Sequence, residues 1–398
     1  MDNIETRPRL AYQIGIAILC KLLLNTGRRF AYPFAPALSR DMAVPLSMIT
    51  SLIAACQFSS LFGIFAGPLA DRFGYRRIMQ GGLALLVVGM LLCTLFPWYW
   101  AVLFGLVLAS LGKTLFDPAL QAYIGNHVEY GRRGRVIGFS ETAWAGSTLL
   151  GIPLLGLSIE YLGLTSSYAL LAGLALIGCF FLGRTFQSNH QATPPTGEPL
   201  WRVVAALGEP LTNRFALTML VFGFLISVAS DSLFVVYGAW FERDFAVSLV
   251  TLGFSTIAIG LAELLGESCT ALLADRIGLK RAVLLGLVLS CIAYLALPVI
   301  GTSLNLAMLG IFFVFFAGEF TIVTSFSLNT ELLPHHRATM LAAYFGVAGI
   351  GRMGGVLLGG VLWRSWGIVG VCHSSALLSG LALLVLLWGM RRWRPDTT

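Results

Sequence analysis

Apolar runs long enough to cross a lipid bilayer dominate this 398-residue chain. A hydrocarbon core of about 30 Å needs roughly 20 apolar residues in a helix. Hydrophobic residues make up 57% of the chain and charged residues 11%, against roughly 25% charged residues in an average soluble domain. This balance disfavours disordered, fibrous, nucleic-acid-binding and water-soluble multidomain proteins. Twelve runs are predicted to span the membrane, numbered here as spans 1 to 12: 11–38, 46–69, 78–96, 99–126, 136–162, 165–183, 214–241, 249–273, 282–300, 304–330, 339–363 and 368–390.

One long polar connection divides these spans into two sets of six. It predicts a six-helix bundle at 1–184, a cytoplasmic linker at 185–213 and a second bundle at 214–398. The predicted fold class is an all-α membrane protein with 12 transmembrane helices in two six-helix bundles. With both termini in the cytoplasm, 18 of the 26 Lys and Arg residues lie inside and only three outside, as the positive-inside rule expects. The expected location is a plasma membrane, the inner membrane of a prokaryote, and span 1 is predicted to be retained rather than cleaved.

A loop motif recurs at half-chain spacing. Residues 67–77 read GPLADRFGYRR between spans 2 and 3, and residues 271–281 read ALLADRIGLKR between spans 8 and 9. An Asp at a helix end, a Gly for a tight turn and basic residues opening the next helix suit a short clasp between helices. The candidate clasp residues are Gly67, Asp71, Arg72, Gly74, Arg76, Arg77, Asp275, Arg276, Gly278 and Arg281.

With this doubled motif and the 6+6 layout, the chain resembles the major facilitator superfamily of secondary transporters over essentially its whole length. The resemblance implies alternating access, with Asp71 and the neighbouring arginines clasping the cytoplasmic ends of the bundles in the outward-facing state. A weaker resemblance to drug and metabolite exporters rests on the glycine and proline types in span 5, where the matching residues are Gly146, Gly151, Pro153 and Gly156. Span 4 departs from that group, because Leu108 stands where its signature has an Arg.

Ionisable residues inside the spans mark candidate functional positions, because each is costly in a bilayer and normally faces a cavity or a partner. They fall in spans 1, 4, 5, 7, 8, 10 and 11, and in none of spans 3, 6, 9 and 12. In the fold that this chain resembles, the latter four helices are outer supports. The eleven residues are Lys21, Arg28, Arg29, Lys113, Asp117, Glu141, Asp231, Glu263, Glu267, Glu319 and Arg352.

Span 1 carries a polar strip on one helical face, formed by Lys21, Asn25, Arg28 and Tyr32 at i, i+4, i+7 and i+11. The strip predicts contact with an anionic or strongly polar substrate group. The alternative is that Arg28 and Arg29 extend to the outer interface while Lys21 pairs with an acid. The other candidate substrate-binding residues are Lys113, Glu141, Trp144 and Asp231.

Each of these four residues also has a structural interpretation. Lys113 and Asp117 lie one helical turn apart and could simply satisfy each other. Trp144 lies three residues after Glu141, which suits a cationic or aromatic substrate, although a buried Trp is often a packing residue. Asp231 aligns with Arg28 at a shift of about half the chain and is predicted to be its partner.

Acidic residues supply the candidate proton-coupling site. Glu263 and Glu267 form an i, i+4 pair near the membrane centre, where two like charges on one face do not readily both ionise. Asp117 and Glu319 align by the internal repeat and could form a coupled pair. The alternative is that Arg352 on span 11 neutralises one of the two span-8 acids as a static bridge, and such a bridge could also act as a switch.

The function predicted from these features is proton-coupled export of an organic or amphiphilic small molecule by alternating access. The alternative within this fold is uptake or flipping of an anionic or lipid-like solute through the span-1 strip. An intramembrane enzyme or a transporter-derived sensor is disfavoured, because no His/Cys/Asp cluster, HExxH or GxSxG motif is present. The expected partners are a small-molecule substrate, protons and the lipid bilayer. No cofactor, metal or nucleic acid is expected, and the chain is expected to be a monomer.

Overall fold

The computed structural model describes residues 6–186, 209–332 and 337–393, and these residues form helices joined by short turns. The first half contains α1 (Thr6–Arg29), α2 (Ala35–Asp41), α3 (Leu46–Phe58), α4 (Gly63–Phe73), α5 (Tyr75–Leu95), α6 (Tyr99–His127), α7 (Tyr130–Gly146), α8 (Ile152–Leu162) and α9 (Leu164–Thr185). The second half contains α10 (Glu209–Thr212), α11 (Arg214–Phe234), α12 (Tyr237–Phe245), α13 (Leu249–Ile277), α14 (Leu279–Ile300), α15 (Leu304–Leu332) and α16 (Arg337–Gly389).

The helices confirm the predicted class, an all-α multi-pass membrane protein. Ten of the described helices are long and apolar enough to cross a bilayer, and the bent pair that includes α3 supplies an eleventh. The longest helix, α16, is kinked at Gly367, whose φ of 60° and ψ of −154° are not helical. Its two arms correspond to the predicted spans 11 and 12. Large apolar side chains on the outer faces, such as Leu150 and Leu272, are more than half exposed, as lipid-facing residues are.

Spans 1 and 7 end earlier than the sequence predicted. Span 1 was predicted to run over 11–38, but α1 ends at Arg29 and the short helix α2 follows a turn that contains Pro33. Span 7 was predicted over 214–241, but α11 ends at Phe234 and the short helix α12 follows. Proline cannot donate a helical hydrogen bond, which explains the first break. The two short helices occupy equivalent places in the two halves.

Small residues allow the helices within each half to approach closely. In the first half, Gly82 and Gly89 on α5 face the backbone of Gly112 and Gly105 on α6, where a β-carbon would overlap a carbonyl oxygen. In the second half, a row of small residues on α16 packs against α11 in the same way, through Gly351, Gly355 and Gly359. Close packing between small residues is a main source of helix association inside a bilayer. The domain limits at 184 and 213 stay a prediction, because residues 187–208 lie outside the described ranges.

The two halves meet mainly at one end of the molecule. We call the end where α1 begins the near side, predicted to be cytoplasmic, and the opposite end the far side. On the far side, α8 packs on α13, α3 packs on α16, and Arg40 on α2 forms an ion pair with Glu242 on α12 at 2.5 Å. Among the described residues, the near-side contacts between halves are sparse and involve α4 with α16 and α7 with α13. The bundles are therefore closed on the far side and separate towards the near side.

The doubled loops contain the tight glycine turns that the sequence predicted. Gly74 and Gly278 have φ values of 87° and 90°, and each follows the last residue of one helix and precedes the first residue of the next. Residues with a β-carbon rarely adopt this left-handed region. Both turns therefore depend on glycine for backbone conformation, since nothing lies within 4 Å of a β-carbon built at either position.

Replacement of Gly278 by Ala is expected to lower the free energy of unfolding by about 1–2 kcal/mol, because the positive φ costs about this much for an L-residue. Gly81, inside α5 and facing open space, is the matched control. Gly81→Ala is expected to be neutral or to stabilise by about 0.5–1 kcal/mol. Unfolding of both variants in detergent measures the difference, and equal stabilities would contradict the requirement for glycine at the turn.

Candidate functional site

A cavity lies between the two halves, at the level where the far-side contacts end. It is lined from α1, α3 and α7 of the first half and from α11, α13, α15 and α16 of the second. Its volume is about 80 Å³. The lining residues are Arg28, Arg29, Tyr32, Gln57, Trp144, Ser227, Ser230, Asp231, Phe234, Glu263, Phe315, Glu319, Ile322, Phe326, Tyr344, Phe345, Ala348 and Arg352.

A buried ion pair crosses this cavity from one half to the other. Arg29 Nη2 lies 2.5 Å from Glu263 Oε1, and Arg29 Nη1 lies 3.3 Å from Glu263 Oε2. Both side chains are almost fully buried. A two-point contact between guanidinium and carboxylate is among the strongest polar interactions in proteins, and it fixes the mutual orientation of the two groups. The pair therefore ties α1 to α13 across the cavity.

Glu263 has further donors from the first half. Trp144 Nε1 donates to Oε1 at 3.1 Å, and Thr148 Oγ1 lies 2.9 Å from Oε2. The guanidinium carbon of Arg29 lies 3.9 Å from the centroid of the Trp144 ring and 5.5 Å from that of Phe234. The carboxylate and two aromatic faces thus surround the cation of Arg29, an arrangement that favours a planar positive charge.

A short π-helical segment, Ser147–Gly151, places the residues around Glu263. Such segments shift the helical register and are frequent at functional sites. Here the segment separates α7 from α8, and the backbone carbonyl of Thr148 accepts a hydrogen bond from Thr256 on α13 at 2.7 Å. The carbonyl of Trp144 accepts from Arg29 Nη1 at 3.2 Å. The break in helical register therefore turns both side-chain and backbone groups of the span towards the ion pair.

Two further acids lie near Glu263 without a hydrogen bond or ion pair to any described residue: Glu267 on α13 and Glu319 on α15. Both are partly exposed, and Glu319 lines the cavity. A β-carbon built at Gly266 would lie 3.0 Å from Glu319 Cβ, so α15 approaches α13 beside Glu267. The second half thus supplies three neighbouring carboxyl groups, of which only Glu263 has a basic partner.

A second polar network lies towards the far side. Tyr32 OH donates to Asp231 Oδ1 at 2.8 Å and receives a hydrogen bond from Gln57 Nε2. Arg28 Nη2 donates to Gln57 Oε1 at 2.6 Å and to Ser60 Oγ at 2.9 Å. The Tyr32 ring also stacks on Phe234 with 4.4 Å between centroids. This network joins α1, α3 and α11 across the interface between the halves.

The predicted partnership between Arg28 and Asp231 is wrong. Arg28 donates to the neutral side chains of Gln57 and Ser60, and Asp231 accepts from Tyr32. The alternative bridge from Arg352 to a span-8 acid is also wrong. Glu263 forms its ion pair with Arg29 instead. Arg352 lines the cavity and forms no hydrogen bond or ion pair within the described ranges. The alternative that Arg29 extends to the outer interface is wrong as well.

The remaining candidates lie beside the cavity rather than in it. Lys21 Nζ forms an ion pair with Glu141 Oε1 at 2.8 Å, and Gln121 Nε2 donates to the same oxygen at 3.1 Å. Lys113 forms an ion pair with Asp117, as their spacing on one helix predicted. Asn25 is completely buried, and neither its amide nitrogen nor its oxygen has a hydrogen-bond partner. Lys21, Asn25, Lys113, Asp117, Glu141 and Glu267 are absent from the cavity lining.

Sequence reasoning missed Gln57 and Thr148, and it marked Arg29 as an ionisable candidate without assigning it to the substrate or proton site. Arg29 lies four residues after Asn25 and eight after Lys21, so helical spacing could have placed it on their face. Gln57 and Thr148 are uncharged, and only their contacts in the folded protein place them in the site. The sequence carries no signal for such contacts. In the part of the chain that is described, no group of three His, Cys, Asp or Glu side chains could hold a metal ion.

The candidate clasp is described only in part. The side chains of Asp71 and Asp275 lie outside the described set. Arg72, Arg77, Arg276 and Arg281 are exposed on the near side, and Arg76 is partly exposed. Their exposure accords with the separation of the bundles on that side, and the clasp role stays a prediction.

An all-α membrane protein with a charged cavity between its two halves has the architecture of a membrane transporter. The family model described as Major Facilitator Superfamily matches residues 17–255 and 219–398, and the chain belongs to this superfamily. An enzymatic role receives no support from this membership, because the superfamily is one of transporters.

Similar proteins include the "Uncharacterized MFS-type transporter YceJ" of Bacillus subtilis, 23% identical over 370 residues, which cover 92% of this chain and 91% of that protein. The "Multidrug resistance protein MdtG" of Citrobacter koseri is 26% identical over 394 residues, 94% of this chain and 93% of its own. The "Multi-drug resistance efflux pump PmrA homolog" of Lactococcus lactis is 26% identical over 353 residues, 84% and 82% of the two chains.

Solved structures share the fold at low sequence identity. A bacterial homolog of the human lysosomal transporter Spinster, in an inward-facing and unoccupied conformation, matches with a TM-score of 0.77 and 14% identity, over 98% of this chain and 99% of that chain. A variant of the peptide transporter POT in complex with alafosfalin matches with a TM-score of 0.74 and 13% identity, over 96% and 93%.

Proposed function

We propose that this transporter exports an organic or amphiphilic small molecule in exchange for protons. The observation that carries the proposal is the buried Arg29–Glu263 pair, which joins the two halves. Beside it, Glu267 and Glu319 have no hydrogen bond or ion pair among the described residues. Export is supported by the names of two relatives, a multidrug efflux pump homolog and a multidrug resistance protein.

Glu319 is the best candidate for the proton carrier. It lines the cavity, and an ionised carboxyl group without a partner is costly inside a bilayer. The charges that act on it are those of Glu263 and Glu267 on α13, Arg29 on α1 and Arg352 on α16. Loss or gain of a proton at Glu319 therefore changes the attraction on Arg29, whose bond to Glu263 links the two halves.

This link supplies the coupling step of alternating access. The far side is closed while Arg29 is held by Glu263, and opening it requires α1 and α13 to separate. A proton or a substrate can shift this equilibrium only by interacting differently with the two states. We propose that the bundles at 1–184 and 214–398 rock about the site, and that the loops around Asp71 and Asp275 clasp the near side when the far side opens. Both termini would be cytoplasmic in a plasma membrane, and one chain would suffice.

Transport into proteoliposomes under an imposed pH gradient tests the proposal, with a substrate selected by thermal stabilisation from cations, lysolipids and organic anions. Wild-type flux is expected to rise at least tenfold with the gradient, whereas flux by Glu319→Gln is expected to be independent of it, because the variant cannot carry the proton. Glu160→Gln, at an exposed position on α8, is the matched control and should behave as the wild type. Wild-type flux that ignores the gradient would contradict proton coupling.

Uptake or flipping of an anionic solute is the second candidate, and one observation favours it. Arg28 and Arg352 both line the cavity, and neither has an acidic ion-pair partner among the described residues. Lys21 no longer supports this candidate, since Glu141 neutralises it. An anionic substrate whose transport survives Arg28→Ala would argue against this function.

A further inference from the structure

The cation site around Glu263 is occupied by a side chain of the protein itself. Its walls are the Glu263 carboxylate, the Trp144 ring and the Phe234 ring, and its occupant is the guanidinium of Arg29. An acid combined with aromatic faces is the arrangement that proteins use to bind delocalised organic cations. We infer that Arg29 is a tethered competitor in this site, and that the transported molecule is a flat, delocalised organic cation that displaces it.

The walls of the site are also joined to each other by contacts that do not involve Arg29. Trp144 Nε1 and Thr148 Oγ1 both contact the Glu263 carboxylate, at 3.1 and 2.9 Å. These contacts hold the acid and the ring together when the guanidinium leaves. The site is therefore organised in advance for another cation, which lowers the cost of binding one.

The hydrogen-bonding groups of Arg29, the occupant of this site, are only partly satisfied. Arg29 Nε is buried and has no hydrogen-bond partner, so the protein's own cation leaves one donor unsatisfied in a water-poor site. Glu319 lines the same cavity and has no partner among the described residues, so it can receive the displaced guanidinium.

This inference deepens the proposed function, since it names the class of molecule carried. It also predicts an unusual result, because removing a cation from the site should strengthen binding of a cationic ligand. A protein whose binding-competent state is rare binds with an affinity reduced by that fraction, and removal of the competitor restores the intrinsic affinity.

Calorimetric titration of the purified protein with benzamidinium, benzamide and benzoate tests the inference, because these three probes share one shape and differ in charge. Arg29→Gln is expected to bind benzamidinium at least about tenfold more tightly than the wild type, and Arg29→Lys about threefold, since lysine lacks the planar fork. Glu263→Gln and the double variant Arg29→Gln/Glu263→Gln are expected to bind benzamidinium no better than benzamide. Arg40→Gln, which breaks the exposed Arg–Glu pair between the halves, is the matched control and should equal the wild type.

A folded Arg29→Gln or Arg29→Lys variant that binds benzamidinium equally or less tightly than the wild type would overturn the inference. Tighter binding of benzoate by the wild type than by Arg29→Gln would overturn it too, because Arg29 would then be a ligand for anions. Arg29→Lys keeps the positive charge and so remains informative if Arg29→Gln fails to fold. Binding is measured without a pH gradient, so these outcomes are independent of the flux experiment: proton-coupled flux can persist when the inference fails, and the reverse also holds.

Discussion

Replacement of Glu263 by Gln is expected to lower the free energy of unfolding by about 3–5 kcal/mol, because the buried Arg29 would lose its counter-charge. Arg29 and Glu263 are both almost fully buried, and their two contacts lie at 2.5 and 3.3 Å. Removal of one partner from such a pair leaves an uncompensated charge inside the membrane. Reversible unfolding in mixed micelles, followed by circular dichroism, measures the loss.

The double variant Arg29→Gln/Glu263→Gln distinguishes a coupled pair from two independent residues. We expect it to recover most of the loss, because two neutral amides leave no buried charge. Arg40 and Glu242 supply a matched cycle, since they also join the halves but are 56% and 27% exposed. Their coupling is expected to be at most about 1 kcal/mol. Additive losses at Arg29 and Glu263 would show that the bridge contributes no coupling between the halves.

The sequence identified the charged positions of the site but not their partners, and helix geometry explains the difference. Lys113 and Asp117 were paired correctly because i, i+4 spacing on one helix fixes their proximity. Arg28 and Arg29 are adjacent and point about 100° apart, so the rotational orientation of α1 decides which of them meets Glu263. That rotation depends on packing between spans far apart in sequence, which no local pattern encodes.

The fold was largely predictable because it depends on local features of the sequence. The two turn glycines, Gly74 and Gly278, and the apolar runs are local features, and the structure follows them. The early end of α11 carried no such signal, because Val235 and Val236 are not helix breakers. At that break α12 contacts the turn after α1, where Gly238 lies against Pro33, and these two residues are far apart in the chain. Contacts of this kind appear only once both halves are assembled.

Replacement of Gly238 by Val is expected to open the far side. Gly238 lies on α12 against Pro33, and a β-carbon there would overlap the Pro33 carbonyl oxygen, which is backbone and cannot rotate away. Overpacking of this kind costs about 1–3 kcal/mol. The state that is open on the far side does not carry this cost, because the two halves are separated at that end. Since about 1.4 kcal/mol changes an equilibrium constant tenfold, the open state should gain roughly tenfold or more in population.

Spin labels at Asp41 and Asp244, which are exposed on the two short far-side helices, report this change by pulsed electron paramagnetic resonance in a cysteine-free background. The longer-distance population should grow in Gly238→Val and remain at the wild-type level in Gly173→Val, where a β-carbon meets nothing within 4 Å. Because both short helices follow the spans that supply Arg29 and Asp231, separating them should also loosen the ion pair at the cavity. An unchanged distance distribution in a folded Gly238→Val would mean that the contact between Gly238 and Pro33 does not limit opening, and that the buried pair alone holds the far side closed.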